Sequence, residues 1–131
     1  MSLSQEEREL LVAREFEKAE RFYSQAQQNA ELGIWDVVAN RLYYSAFHAV
    51  CALLVQYGHR VGTHRGAVAQ FGLHFVVTGM FSAEEGSFYS RLQSIREKAD
   101  YSLSWNAENI DWNHAVVETK SFLEHIKQQL Q

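Results

Sequence analysis

Apolar residues recur along the chain in steps of three and four, the spacing that gathers them on one face of an α-helix. The first stripe is Val12, Phe16, Ala19, Tyr23, Ala26 and Ala30. Ser4 and Glu7 stand ahead of it at capping-box separation, where each side chain satisfies the other residue's backbone N–H. Gly33 follows, and glycine readily takes the left-handed conformation that closes a helix. A second helix is predicted from about Ile34 to Tyr57, with two adjacent stripes: Ala39, Tyr43, Ala46 and Leu53 on one, and Tyr44, Phe47, Cys51 and Leu54 on the other. So wide an apolar surface belongs to a central helix. Gly58 ends it, and the polar stretch His59 to Thr63 leads into a third helix near His64, carrying Val68, Phe71 and Phe75 before Gly79. Ser82 and Glu85 repeat the capping-box spacing and open a fourth helix with Phe88, Leu92, Ile95 and Ala99 inward, ending near Tyr101 to Leu103. The last helix is predicted from about Asn109, with the seam Trp112, Val116, Thr119, Leu123, Ile126 and Leu130.

Proline is absent and the seven glycines fall mostly between these periodic segments, which leaves little room for strands. The predicted fold is all-α: an up-and-down four-helix bundle with the 64 to 78 segment as an additional short helix, forming one domain over residues 1–131. A chain of 131 residues can close one hydrophobic core, and its 47% hydrophobic and 21% charged residues are ordinary for a globular protein. No run approaches the roughly 18 apolar residues of a membrane span. Residues Met1 to Glu7 lack the basic start and apolar run of a signal peptide, so a cytoplasmic location without membrane association is expected. Cys51, the single cysteine, reads as a buried and inert thiol.

A net charge of -4 argues against a protein that coats nucleic acid with a broad basic surface, so any phosphate site must be local. Three places qualify. His64 and Arg65 stand where the free N–H groups and dipole of a helix start favour an anion, with His59 and Arg60 just before them. A solvated loop is the alternative reading there. Arg41 lies on an apolar helix beside Tyr43 and Tyr44 and needs a carboxylate, a phosphate or an aromatic face; Asp36 and Asp100 are candidate partners, and a structural polar network including Asn40 is the alternative. Arg96 and Asp100 are four residues apart, the spacing of an exposed intrahelical ion pair worth about 0.3 to 0.5 kcal/mol. The six histidines form no HExxH motif, and neither a metal site nor a glycine-rich phosphate loop is expected, so no cofactor is implied. Tyr23, Phe47, Phe71, Phe75, Phe88 and Trp112 read as core or dimer contacts rather than stacking platforms.

The segment Asn40-Arg41-Leu42-Tyr43-Tyr44-Ser45-Ala46-Phe47-His48-Ala49-Val50, with Gly33-Ile34-Trp35-Asp36 before it and Gly58 after it, resembles the signature of the HEPN family. Thr63-His64-Arg65-Gly66 with Phe71 resembles that family's loop and third helix, and Arg96-Glu97-Lys98-Ala99-Asp100-Tyr101 its arginine motif. The order and spacing match the small prokaryotic branch often found beside nucleotidyltransferases. The resemblance implies a bundle that forms a homodimer and sets the arginine motif near a cleft between protomers. It also implies one of two occupations: a metal-independent ribonuclease, often a toxin restrained by a partner nucleotidyltransferase, or a module that binds nucleotide or RNA, or mediates assembly, without catalysis. Ribonuclease members carry a histidine four to six intervening residues after the arginine; here Tyr101, Ser102 and Leu103 occupy those places. Tyrosine, with a pKa near 10, is a poor general base at pH 7, and Asp100 near 3.9 is poorly matched as an acid. The expected function is a nucleotide- or RNA-binding module paired with a nucleotidyltransferase in a toxin–antitoxin-like system, with Arg96, Asp100, Tyr101, Arg41, Asn40, Tyr44, His64 and Arg65 as phosphate-site candidates. A ribonuclease toxin would draw on Arg96, Tyr101, His48 and His64, and a non-catalytic dimerisation or adaptor protein is the third reading.

Overall fold

The structure, a computed structural model, describes residues 3–130. Its helices are α1 (Gln5–Glu31), α2 (Trp35–Gln56), α3 (His64–Phe71), α4 (Ala83–Tyr101) and α5 (Trp112–Gln129), with no strand among the described residues. The all-α architecture expected from the periodicity is the one adopted. Both capping boxes form: Ser4 Oγ accepts from Glu7 N–H at 3.1 Å and Ser82 Oγ from Glu85 N–H at 3.1 Å, and each glutamate accepts in return. Gly33 closes α1 at φ 71°, a conformation strained for a residue with a Cβ.

Helix α2 packs against each of the other four helices. Small residues allow this. Ala39, Ala46, Ala49 and Ala52 are all buried, as are Ala19 and Ala26 of α1, and Ser45 Oγ donates to the Ala19 carbonyl at 2.7 Å. That bond brings the two backbones close and satisfies a hydroxyl with no water access. Helix α2 is also apolar and long enough to cross a membrane, yet two thirds of its most apolar window is buried within the bundle, as in a core helix.

At one end of the bundle Phe71, Phe81, Phe88 and Tyr89 surround Phe122 with ring centres 5.4 to 6.2 Å away. At the other, Trp35 stacks on Trp112 at 5.4 Å, and Trp112 Nε1 donates to the Ala107 carbonyl. Tyr23 Oη donates to the Val116 carbonyl and ties α1 to α5.

Three local expectations need correction. The 64 to 78 segment is not one regular helix: after Phe71 the chain widens into a turn in which Val77 N–H bonds the Gly72 carbonyl five residues back. Helix α5 starts at Trp112 rather than near Asn109, because Asp111 Oδ1 accepts from His114 N–H and Asn106 caps a separate short turn, Ala107–Asn109. On α4 the core face is rotated from the expected stripe: Phe88 and Leu92 are buried, Ile95 and Ala99 only half-buried, and Tyr89 and Gln93 go inward. The same stripe carries Arg96, two turns after Tyr89.

Truncating Phe122 leaves a void among four surrounding rings that cannot collapse to fill it. Phe122→Ala is expected to lower unfolding free energy by about 3 to 5 kcal/mol in urea titration, with helical content retained in water.

Candidate functional site

Arg96 is placed by its register on α4, and its side chain retains only 13% of its exposure. The guanidinium carbon lies 5.1 Å from the Tyr43 ring centre and 5.5 Å from that of Tyr44. Asp100 approaches Nε only to 3.8 Å, beyond the roughly 2.7 to 2.9 Å of a charge-assisted hydrogen bond. Nε itself is buried with no hydrogen-bond partner. A cation at this depth is thus held by aromatic faces and one distant carboxylate, and it retains capacity for an anion.

His64 enters from the start of α3. The Tyr43 hydroxyl is 2.7 Å from His64 Nδ1. Burial raises the Tyr43 pKa far above that of free tyrosine, so the phenol keeps its proton. Burial also lowers the His64 pKa, helped by Arg96 and His48. With both groups neutral, Tyr43 O–H donates to Nδ1, and the proton of the imidazole sits on Nε2. His64 therefore offers Nε2–H as a donor beside Arg96.

Tyr44 is the hub. Its ring centre lies 5.5 Å from the Arg96 guanidinium, 5.5 Å from the His64 ring and 6.4 Å from the His48 ring. His48 is held differently, with Nδ1 2.7 Å from Glu15 Oε2 of α1 and only 16% and 18% exposure for the two side chains.

An open hollow of about 550 Å³ adjoins Arg96, lined by Arg65, Lys98, Tyr101, Ser94, Glu97 and Ser102. Three cations thus meet at one depression of an acidic chain. A hollow of similar size at the start of α4 is lined by Glu84, Glu85 and Glu118 with Arg91, a charge balance that disfavours phosphate.

The predicted residues divide accordingly. Arg65, Arg96 and Tyr101 share the hollow, Tyr44 and His64 pack beside it, and Asp100 is the ion-pair partner of Arg96. Tyr101 is exposed on the rim. Arg41 points elsewhere: its guanidinium lies 4.8 Å over Phe22 and donates to Gln25 Oε1 at 3.2 Å, both on α1. Neither Asp36 nor Asp100 pairs with it among the described residues. Asn40 has a buried Oδ1 without a partner and does not line the hollow. Sequence reasoning passed over Lys98, Glu15 and the hydroxyl of Tyr43. For Glu15 a signal existed, since a carboxylate at the edge of the Val12–Phe16–Ala19 stripe implies a partner on the facing helix.

The HEPN domain family matches residues 12–129. The chain belongs to the HEPN domain family. It is similar to a UPF0332 protein of Thermotoga maritima, 36% identical over 91 residues that cover 67% of each chain. A UPF0332 protein of Archaeoglobus fulgidus is 33% identical over 86 residues, covering 66% of this chain and 68% of that one. A Methanocaldococcus jannaschii protein named as a candidate toxin is 25% identical over 114 residues, covering 87% of this chain and 78% of its own.

The depressed proton affinity of His64 has a measurable consequence. Its NMR titration midpoint is expected below about 6.5, the value of an unperturbed imidazole, and Arg96→Ala should raise it. Because the unfolded imidazole takes up its proton first as pH falls, the contribution of His64 to stability is complete above about pH 6.5 and is lost toward the lower folded midpoint.

Proposed function

We propose that this chain is a HEPN module that binds the phosphate of a nucleotide or RNA in the hollow lined by Arg65, Arg96 and Lys98, as a homodimer working with a partner nucleotidyltransferase. The observation that carries this reading is the state of Arg96: a permanently charged group, mostly buried, with an orphaned Nε and a carboxylate too distant to neutralise it fully. A phosphate oxygen in the hollow that Arg96 lines would supply an acceptor for the guanidinium. Arg65 and Lys98, both exposed, would reach the same anion from α3 and α4, and His64 Nε2–H would add a neutral donor. Local placement also reconciles anion binding with a net charge of -4. Exposed Tyr101 and Leu103 at the end of α4 offer apolar contact for a second protomer beside the hollow. The candidate-toxin name of the Methanocaldococcus relative supports a toxin–antitoxin setting, in which expression of this chain alone arrests growth and the nucleotidyltransferase relieves the arrest.

Calorimetric titration with ATP, GTP and a short single-stranded RNA tests the reading. At least one ligand is expected to bind, more weakly as salt rises. Arg96→Ala should reduce affinity roughly 10- to 100-fold, the equivalent of about 1.5 to 3 kcal/mol for a charged hydrogen bond. Absence of binding by the wild type to all three ligands would overturn the proposal.

A further inference from the structure

We propose that a second hollow, reached past Lys98 and Ser102, is a base pocket: an adenine ring stacks on Trp105 and pairs with the Asn109 amide while its phosphate is held at Arg96. This rests on the phosphate-binding reading above and names the nucleotide that the site selects.

The chain that follows α4 builds this hollow. Ser102 ends the helix in an extended conformation, and its Oγ accepts from Ser104 N–H at 3.2 Å. Asn106 caps the turn Ala107–Asn109, its Oδ1 accepting from Glu108 N–H at 2.9 Å. Such local side-chain bonds fix the backbone on either side of Trp105. The segment encloses a space of about 400 Å³ against Ile95 of α4, with Trp105, Asn109 and Ile110 on its walls. Small-molecule sites span about 300 to 1,000 Å³, so a single planar ring system fits this volume.

Lys98 and Ser102 line both this hollow and the Arg96 hollow, which makes the two neighbouring parts of one surface. Their chemistry differs. The Arg96 hollow gathers Arg65, Arg96 and Lys98, whereas the second has Lys98 as its one charged lining residue among the described residues. One side suits an anion and the other a neutral group attached to it.

Trp105 says what that group is. Its indole is half-buried, packed against the core and edge-to-face with Trp112 at 6.3 Å. Trp112 in turn stacks on Trp35 and donates to the Ala107 carbonyl, so Trp105 has a firm backing. An indole held in place with part of its surface open is a stacking platform for a base. The two asparagines beside it are not equivalent. Asn106 uses its oxygen in capping, while Asn109 is exposed and its amide makes no hydrogen bond among the described residues. A primary amide offers a donor and an acceptor side by side, the complement of N7 and N6–H of adenine; guanine presents two acceptors, N7 and O6, on the same edge. Adenine is therefore the favoured ring. Free adenine nucleotides and adenosine within RNA carry this same unit.

The test compares AMP, GMP and ribose 5-phosphate on the full chain by calorimetry and tryptophan fluorescence. AMP should bind roughly 10-fold or more tightly than ribose 5-phosphate, about 10-fold more tightly than GMP, and should quench indole emission. Trp105→Ala should lower AMP affinity about 10-fold and abolish the quenching. Should that variant misfold by circular dichroism, Trp105→Leu keeps an apolar contact with Trp112 and should show the same losses. Asn109→Ala, at an exposed position, should erase the preference for AMP over GMP. Short oligo(A) and oligo(U) separate the two sources: oligo(A) binding more tightly than both AMP and oligo(U) assigns the pocket to RNA, and AMP binding more tightly than oligo(A) assigns it to the free nucleotide. AMP affinity no greater than that of ribose 5-phosphate or of GMP, undiminished AMP affinity in a folded Trp105 variant, or a preference that survives Asn109→Ala would overturn the base pocket and leave the phosphate reading standing. Failure of every nucleotide and RNA to bind would remove both.

Discussion

Arg96 carries a permanent charge into the seam between α4 and α2, where two tyrosine faces replace most of its water. Such a charge constrains its surroundings. Aromatic faces compensate part of the lost hydration, and a carboxylate at 3.8 Å compensates more without saturating the guanidinium. The nearby imidazole then responds: a second positive charge beside Arg96 is disfavoured, which adds to burial in keeping His64 neutral. Its neutrality in turn lets the Tyr43 hydroxyl settle on Nδ1. Burial and one cation together keep this imidazole neutral, and the Tyr43 hydroxyl selects its tautomer.

Much of the fold was legible because helix periodicity, two capping boxes and the glycine stops all agreed. The central position of α2 followed from the breadth of its apolar surface. What escaped was rotation and local detail. On α4 the expected stripe ran through Phe88, Leu92, Ile95 and Ala99, yet burial follows Phe88, Tyr89, Leu92 and Gln93. Periodicity weighs apolar residues alone and cannot anticipate that a tyrosine hydroxyl, an amide and a guanidinium will turn inward together. The widened turn after Phe71 was likewise invisible, since it is set by backbone bonds reaching five residues back, such as Val77 N–H to the Gly72 carbonyl, and not by side-chain periodicity.

The candidate site could be read from the sequence in part of its membership but not in its wiring. Arg96, Arg65, His64 and Tyr44 were nominated from motif segments, and the fold places them side by side. Arg41 was nominated by the same reasoning and went to α1, because two residues, about 200° of helical rotation, separate it from Tyr43, whose ring meets Arg96 of α4. Lys98 joins the hollow from the last turn of α4, where a lysine would ordinarily be assigned to the helix dipole. Glu15 reads as one more surface acid until α2 brings His48 against it.

The absence of a histidine after Arg96 therefore does not empty the site of imidazoles, since α2 and α3 each deliver one to the Tyr44 ring. What distinguishes them is the atom each meets at Nδ1. A phenol that keeps its proton makes one histidine a donor, and a carboxylate makes the other an acceptor. Identical side chains acquire complementary chemistry from their partners, and both partners, Tyr43 and Glu15, belong to helices whose apolar stripes were already required to close the core. The polar wiring is thus a by-product of where the apolar stripes dock.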